Sequence, residues 1–212
     1  MIRLPSPAVL ALTLVALPFS VASAATMTFT IDKAHTEVGF DITHFFTKVH
    51  GRFTDFSGTI VADPEKVAAS SVEVTIRDSS IFTANEMRDR HLRTPEFFWV
   101  EKYPEISFKS TKVVLGKDAK HFQVLGDLTI RGVTKPVTLE AEFLGMGPVG
   151  IEGKSMGTQT GFHATTTISR KDFGIVWNKA LDQGGMMLAD EVTITLDVAA
   201  MSADPPPSTG KQ

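Results

Sequence analysis

The chain predicts an all-β fold: an eight-stranded antiparallel barrel with one short helical insertion at about 83–99. Three observations carry this expectation. Apolar and polar residues alternate in segment after segment, the pattern of a strand with one dry and one wet face. The inward set mixes large residues with Gly126 and Ala141, which leaves space inside a closed sheet. The strands are also long for a small sandwich, the rival way to bury such faces. A barrel of eight strands is just wide enough to hold side chains or one small ligand.

The chain opens with a segment that does not belong to the barrel. Residues 1–24 carry one positive charge, Arg3, then an apolar run from Ala8 to Ala22 that ends in Ala22-Ser23-Ala24. This is the pattern of a cleaved secretory signal peptide, and Pro18 breaks the run as a membrane span. An uncleaved anchor is the alternative. The expected mature chain starts near Ala25 and is exported, with one barrel domain over 25–200. The end, 201–212, is Pro-rich and polar and is expected to be disordered.

The strands follow in order. Val38, Phe40 and Ile42 share one face, against Glu37, Gly39, Asp41 and Thr43 on the other. Residues 49–62 read as one strand in which Phe53 and Phe56 slip out of phase, so a bulge near Thr54-Asp55 is expected. Val72, Val74 and Ile76 alternate with Glu73, Thr75 and Arg77, and 106–115 forms a weaker strand. Phe122, Val124, Gly126, Leu128 and Ile130 lead into a hairpin whose link is Arg131 to Lys135, with Pro136 at the edge of the next strand. Val137, Leu139, Ala141 and Phe143 face inward there. Phe162, Ala164, Thr166 and Ile168 make another strand, and Val192, Ile194, Leu196 and Val198 close the domain.

Between the third and fourth of these segments the alternation stops. Thr83-Ala84-Asn85-Glu86 reads as a capping box ahead of a helix through NEMRDRHLR. Thr94-Pro95 then starts a second short turn, with Thr94 as its cap, that carries Phe97 and Phe98. The helix is too short to stand alone, so it must dock on the barrel. A lid over one mouth is expected, and a plain connection shielding a strand edge is the alternative.

Several blocks together resemble the YceI-like family of exported, lipocalin-like, polyisoprenoid-binding barrels. They are TFTIDKAHTEVGFDITHF, VHGRFTDFSGTI, NEMRDRHLRTPEFFWVEKYPEISFKST, GDLTIRGVTKPVTLEAEF, GFHATTTISRKDFGIVW and DEVTITLDV, covering about 28–198. The resemblance implies a lipocalin-like barrel, a long isoprenoid or similar amphiphile such as a quinone held inside it, and a periplasmic carrier. The stretch GMGPVGIEGKSMGTQTG departs from the family pattern and is expected to shape one barrel end as a loop.

The ligand-facing residues expected from inward parity are Val38, Phe40, Ile42, Phe53, Val74, Ile76, Phe97, Phe98, Phe108, Leu128, Phe162 and Trp177. His44, Arg88, Asp89 and His91 are expected either to meet a ligand headgroup or to clamp the helix to the barrel. Asp32 and His35 fix a turn. The 15 Phe against one Tyr supply apolar area without polar atoms in need of partners.

Other chemistries find less support. The net charge is −3, and loss of Arg3 alone makes it −4, so nucleic acid is not an expected partner. Cysteine is absent, which excludes disulfides and thiolate chemistry. The six His show no HExxH spacing, and neither a metal nor a cofactor beyond the bound lipid is expected. An enzyme acting on such a lipid, and a stress-related barrel with no ligand, remain as alternatives. One Tyr and two Trp do not supply the aromatic girdles of an outer-membrane barrel. A membrane-associated donor or acceptor and a homodimer complete the expected partners.

Overall fold

The computed structural model describes residues 26–63, 66–118 and 120–203. The predicted signal peptide and all but the first residues of the predicted tail lie outside them. The described strands are β1 (Met27–Ile31), β2 (Glu37–His44), β3 (Thr47–Phe53), β4 (Phe56–Ala62), β5 (Ser71–Arg77), β6 (Ile81–Phe82), β7 (Glu105–Leu115), β8 (His121–Ile130), β9 (Val133–Ile151), β10 (Lys154–Ser169) and β11 (Leu188–Ser202). One helix, α1 (Glu86–Leu92), follows β6.

All strand pairs are antiparallel, and the sheet closes on itself because β11 pairs with both β1 and β2. Counted round the ring the barrel has eight staves. β1 with β2 forms one broken stave and β3 with β4 another, because β2 pairs with β3 and β1 with β4. The remaining staves are β5, β7, β8, β9, β10 and β11. Closure removes the open edges that a sheet this size would otherwise expose.

The first break, between β1 and β2, is a turn held by Asp32. Its carboxylate accepts from the Ala34 amide at 3.0 Å and pairs with His35 at 2.7 Å. The second break is the predicted irregularity at Thr54-Asp55, but it ends one strand and starts another rather than bulging a single one. Thr54 N–H donates to Ser80 O and Arg77 N–H to Asp55 O, so the corner is bonded to the neighbouring stave. The result puts Phe53 and Phe56 together in the core.

Three further boundaries differ from the sequence reading. The hairpin link after β8 is only Arg131-Gly132, both at positive φ, and Pro136 sits within β9 opposite Asp127. The two residues suit the tight turn that needs this backbone, and Tyr103 packs where a Gly132 side chain would go. The stretch expected as a loop at 145–161 is instead a two-stranded ribbon, β9 against β10, turning at Glu152-Gly153. Its glycines lower strand propensity, but the ladder pairs the segment all the same. β11 runs to Ser202, past the expected boundary at 200, because Met201 pairs with Gln159 and Ser202 with Thr158. β1, absent from the sequence reading, packs Met27 and Phe29 with Ala200 into a second small core.

The helix starts later than the capping-box reading expects. Asn85 is the N-cap, its side chain accepting from the Arg88 amide at 3.0 Å. Thr83 is committed elsewhere. Its amide and hydroxyl both donate to the buried Asp89 carboxylate, at 2.9 and 2.5 Å. Thr94 does not cap a second helix either. Its hydroxyl donates back to His91 O, and its carbonyl accepts the Phe97 and Trp99 amides in a turn.

Candidate functional site

The strand pattern fixes which side chains point inward, and those side chains surround a cavity of about 1010 Å³. Val72, Val74 and Ile76 line it from β5, Leu139 and Ala141 from β9, and Ile194 and Leu196 from β11. Val72, Val74, Ile76, Leu139, Ile194 and Leu196 are only partly buried although they face the middle of the molecule. In a solid interior they would be covered by side chains from across the barrel. Here they face a void.

The large inward rings do not fill that void because two of them fold back onto the wall. A Cβ on Gly51 would strike the Phe40 ring from the adjacent strand, and one on Gly126 would strike the Phe108 ring. Gly51 is paired with Phe40 itself, and Gly126 with Ser110, two residues along from Phe108. The missing side chains are seats for the rings. Thus Gly126 clears the lumen indirectly: it takes up Phe108 rather than standing as open space.

One end of the cavity is covered by the segment from β6 to β7. Phe97 is 5% exposed and Phe98 packs its ring edge against Phe53 at 5.8 Å between centroids. His91 lies edge-on to both Phe97 and Trp177, at 4.9 and 5.1 Å, and its Nε2 bonds Glu96 at 2.5 Å. Phe97 and Trp177 approach to 5.2 Å. Arg93 ties the helix end down by donating to Ser79 O and Ile81 O. Arg131 Nη1 holds the turn through Phe97 O at 2.8 Å. The cavity reaches the surface beside Met87, a lining residue that is 74% exposed.

Every sequence-predicted apolar site residue lies on this cavity: Val38, Phe40, Ile42, Phe53, Val74, Ile76, Phe97, Phe98, Phe108, Leu128, Phe162 and Trp177. His44, Arg88 and His91 line it too, and Asp89 does not. Arg88 and Asp89 form no direct ion pair. They meet through Thr83, whose hydroxyl accepts from Arg88 Nε at 2.7 Å and whose carbonyl accepts from Nη2 at 2.7 Å. This is the clamp geometry: both charged groups bond Thr83, just past β6, and so tie the helix to the end of that strand.

The histidines sort sharply. His35, His50, His91, His121 and His163 each pair with a carboxylate: Asp32, Asp41, Glu96, Asp118 and Asp197. His44 alone has none, and its ring lies edge-on to Phe45 at 4.3 Å. It is the mouth residue whose ring nitrogens are uncommitted within the described residues.

Arg170 is the functional residue the sequence reading missed. It is 4% exposed, lines the cavity, and donates to Ala189 O, Ile175 O and Trp177 O, each at 2.8 Å, with Asp190 at 3.3 Å. Burial lowers its pKa and Asp190 opposes that shift. Its role is to hold the chain that carries Trp177 over the cavity. In sequence it is one charge in a Ser-Arg-Lys-Asp turn, with nothing to mark it as buried.

At the far end the polar lining is Thr36, Asp63, Ser70, Ser71 and Thr160. Thr36 Oγ1 donates to Ala199 O and Thr160 Oγ1 to Gly145 O, so these groups serve the backbone. Among the described residues no group of three or more His, Asp or Glu side chains is placed to hold a metal ion. The arrangement can enclose a long apolar molecule with polar contacts at its ends.

The comparisons agree with this geometry. The family model for the YceI-like domain matches residues 29–200. Protein YceI of Escherichia coli O157:H7 is 43% identical over 169 residues, covering 78% of this chain and 85% of that protein. Protein YceI of Salmonella arizonae is 41% identical over the same shares. Among solved structures, the YCEI protein of Campylobacter jejuni superposes with a TM-score of 0.63 at 34% identity, covering 81% of this chain and 95% of that one. Burkholderia cenocepacia BcnA gives 0.69 at 24% identity over 81% and 99%. A polyisoprenoid binding domain from Saccharophagus degradans, implicated in plant cell wall breakdown, gives 0.57 at 14% identity over 83% and 99%. With the family match spanning the whole barrel, the chain belongs to the YceI-like family.

Proposed function

We propose that this chain is a periplasmic carrier that holds a long isoprenoid or similar amphiphile, such as a quinone, inside the barrel. The observation that carries the reading is the apolar cavity of about 1010 Å³, walled by inward strand faces and polar only toward its ends. If each carbon takes about the ~30 Å³ that a water takes in the liquid, the space holds on the order of 30 carbons. The polyisoprenoid binding domain from Saccharophagus degradans, which shares the fold, supports the ligand class. The leader at 1–24 supports export.

The tail supplies the affinity. Each buried CH₂ contributes roughly 0.8 kcal/mol, so a long chain nominally exceeds the practical ceiling of about 18 to 21 kcal/mol. Ordering of the tail and loss of free motion offset the surplus. The headgroup sits at the mouth, where His44 offers an uncommitted hydrogen-bonding nitrogen to a carbonyl, hydroxyl or phosphate oxygen. Arg88 and Asp89 act as the clamp beneath it.

Mass spectrometry of an organic extract of the purified protein tests the reading. A long-chain lipid in stoichiometric yield is expected. Protein that carries no lipid and takes none up from a dispersion of prenyl quinones would overturn it.

A further inference from the structure

The mouth of the cavity has an apolar rim at the tight turn between β2 and β3. That turn consists of Phe45 and Phe46, since His44 pairs directly with Thr47. Phe46 is 95% exposed and Phe45 is 44% exposed. The turn stands beside the loop that leads into β11, through the Phe45 N–H to Met187 O bond at 2.8 Å. Met186 in that loop is 55% exposed, and Met87 of the helix opens onto the same mouth.

Local backbone preference does not explain Phe-Phe here. Phe45 has φ +54 while Phe46 does not have a positive φ. That is the pattern of a hairpin turn that takes Gly at its first central position. The other two-residue hairpin turns among the described residues, Arg131-Gly132 and Glu152-Gly153, do carry a glycine. A bulky side chain held at positive φ is strained. Phe45 has one ring contact in return, edge-on to His44 at 4.3 Å, but Phe46 stands in solvent and gains none, and such an uncompensated ring points to function.

We infer that this rim docks on a lipid surface, with Phe46 and Phe45 inserting among the headgroups. Two features select that occupant. The rim is continuous with the cavity: His44, Met87 and Met187 line the cavity, while Phe45, Phe46 and Met186 beside them face outward. A guest that crosses such a mouth against a bilayer never meets water. Two lysines, Lys48 next to the turn and Lys179 beside Met187, form no ion pair among the described residues and complement lipid phosphates. This rests on the carrier reading for its purpose but not for its measurement.

The test is co-sedimentation of the full chain with vesicles of phosphatidylethanolamine and phosphatidylglycerol, set against Phe46→Ser and Phe45→Gly variants. Any contribution of residues 1–25 is the same in all three. Removing one inserted ring is expected to weaken vesicle binding about tenfold or more. Phe45→Gly relaxes the turn, so its melting temperature stays level or rises while binding falls; that pairing separates docking from misfolding. Extractable lipid stays unchanged in Phe46→Ser, because that ring stands in solvent and does not line the cavity. Vesicle binding that is equal in all three folded proteins overturns the inference. A loss of self-association without loss of vesicle binding also overturns it, and assigns the rim to a second copy. Phe46-dependent vesicle binding by protein that carries no lipid supports the docking and removes the carrier function instead.

Discussion

Asp78 has no exposure, and neither carboxylate oxygen has a hydrogen-bond partner at normal distance. Burial pushes its pKa up to about 7, the Ile106 amide leans the other way, and Glu105 adds to the rise. Asp78 sits where the segment over the mouth leaves and rejoins the barrel, its amide bonded to Pro104 O at 3.1 Å. A folded-state pKa above the unfolded 3.8 means that the folded chain holds its proton longer. The contribution of Asp78 to stability is therefore greatest below about pH 4, falls as pH rises to about 7, and levels off beyond. The full effect is up to about 4 kcal/mol. An Asp78→Asn variant is expected to lose that slope and to be the more stable protein at pH 8, as read from urea unfolding between pH 4 and 8. An unchanged slope in the variant would assign the pH dependence to other groups. A second residue-scale expectation concerns Gly126. Gly126→Ala forces the Phe108 ring off its seat and costs roughly 1–3 kcal/mol. The displaced ring moves into the lumen, so a folded variant is also expected to retain less lipid.

At the scale of elements, the strands were legible because a period of two leaves few alternatives. The faces containing Val38, Val72, Leu128, Leu139, Phe162 and Ile194 all turn toward the interior. Boundaries were less legible where two residues could play one role. Thr83 and Asn85 both fit an N-cap, and only the buried Asp89 beneath Thr83 decides between them. The site was legible in parity and illegible in occupancy, since the same inward pattern serves a filled barrel and a hollow one. The seats at Gly51 and Gly126 make the difference, and they depend on cross-strand register that one sequence does not display. Arg170 was hidden for a related reason: its partners are the backbone carbonyls of Ala189, Ile175 and Trp177, and a carbonyl is the same at every residue and so silent in sequence. The element it anchors gives a prediction. Arg170→Met removes the donors that hold the Trp177 chain and strands those carbonyls, so a loss of about 3–5 kcal/mol is expected in thermal or denaturant unfolding. A loss below about 1 kcal/mol would show that the loop holds itself.

At the scale of the whole molecule, the barrel wall sets what the cavity accepts. Replacing Phe40 or Phe108 with Asp puts a charge without a partner against the apolar void, and lipid co-purification is expected to be lost. Unchanged lipid yield in a folded variant would mean that the guest lies elsewhere. Affinity is also expected to climb with prenyl chain length and then level off near the volume limit, on the order of 30 carbons. A competition series of prenyl quinones of rising length, read by mass spectrometry, measures this; a flat response would sink the idea that the tail dominates. Headgroup exchange at constant length is expected to matter less, and to matter more in wild type than in a His44→Phe variant.

The rings lying on Gly51 and Gly126 have one more implication. With these two rings laid flat, the bore has fewer teeth to catch a methyl branch as it passes. A guest of the proposed kind would slide along the axis like oil in a sleeve, keeping part of its internal motion. Such a guest would load and unload end-on through one doorway, with the staves staying paired throughout.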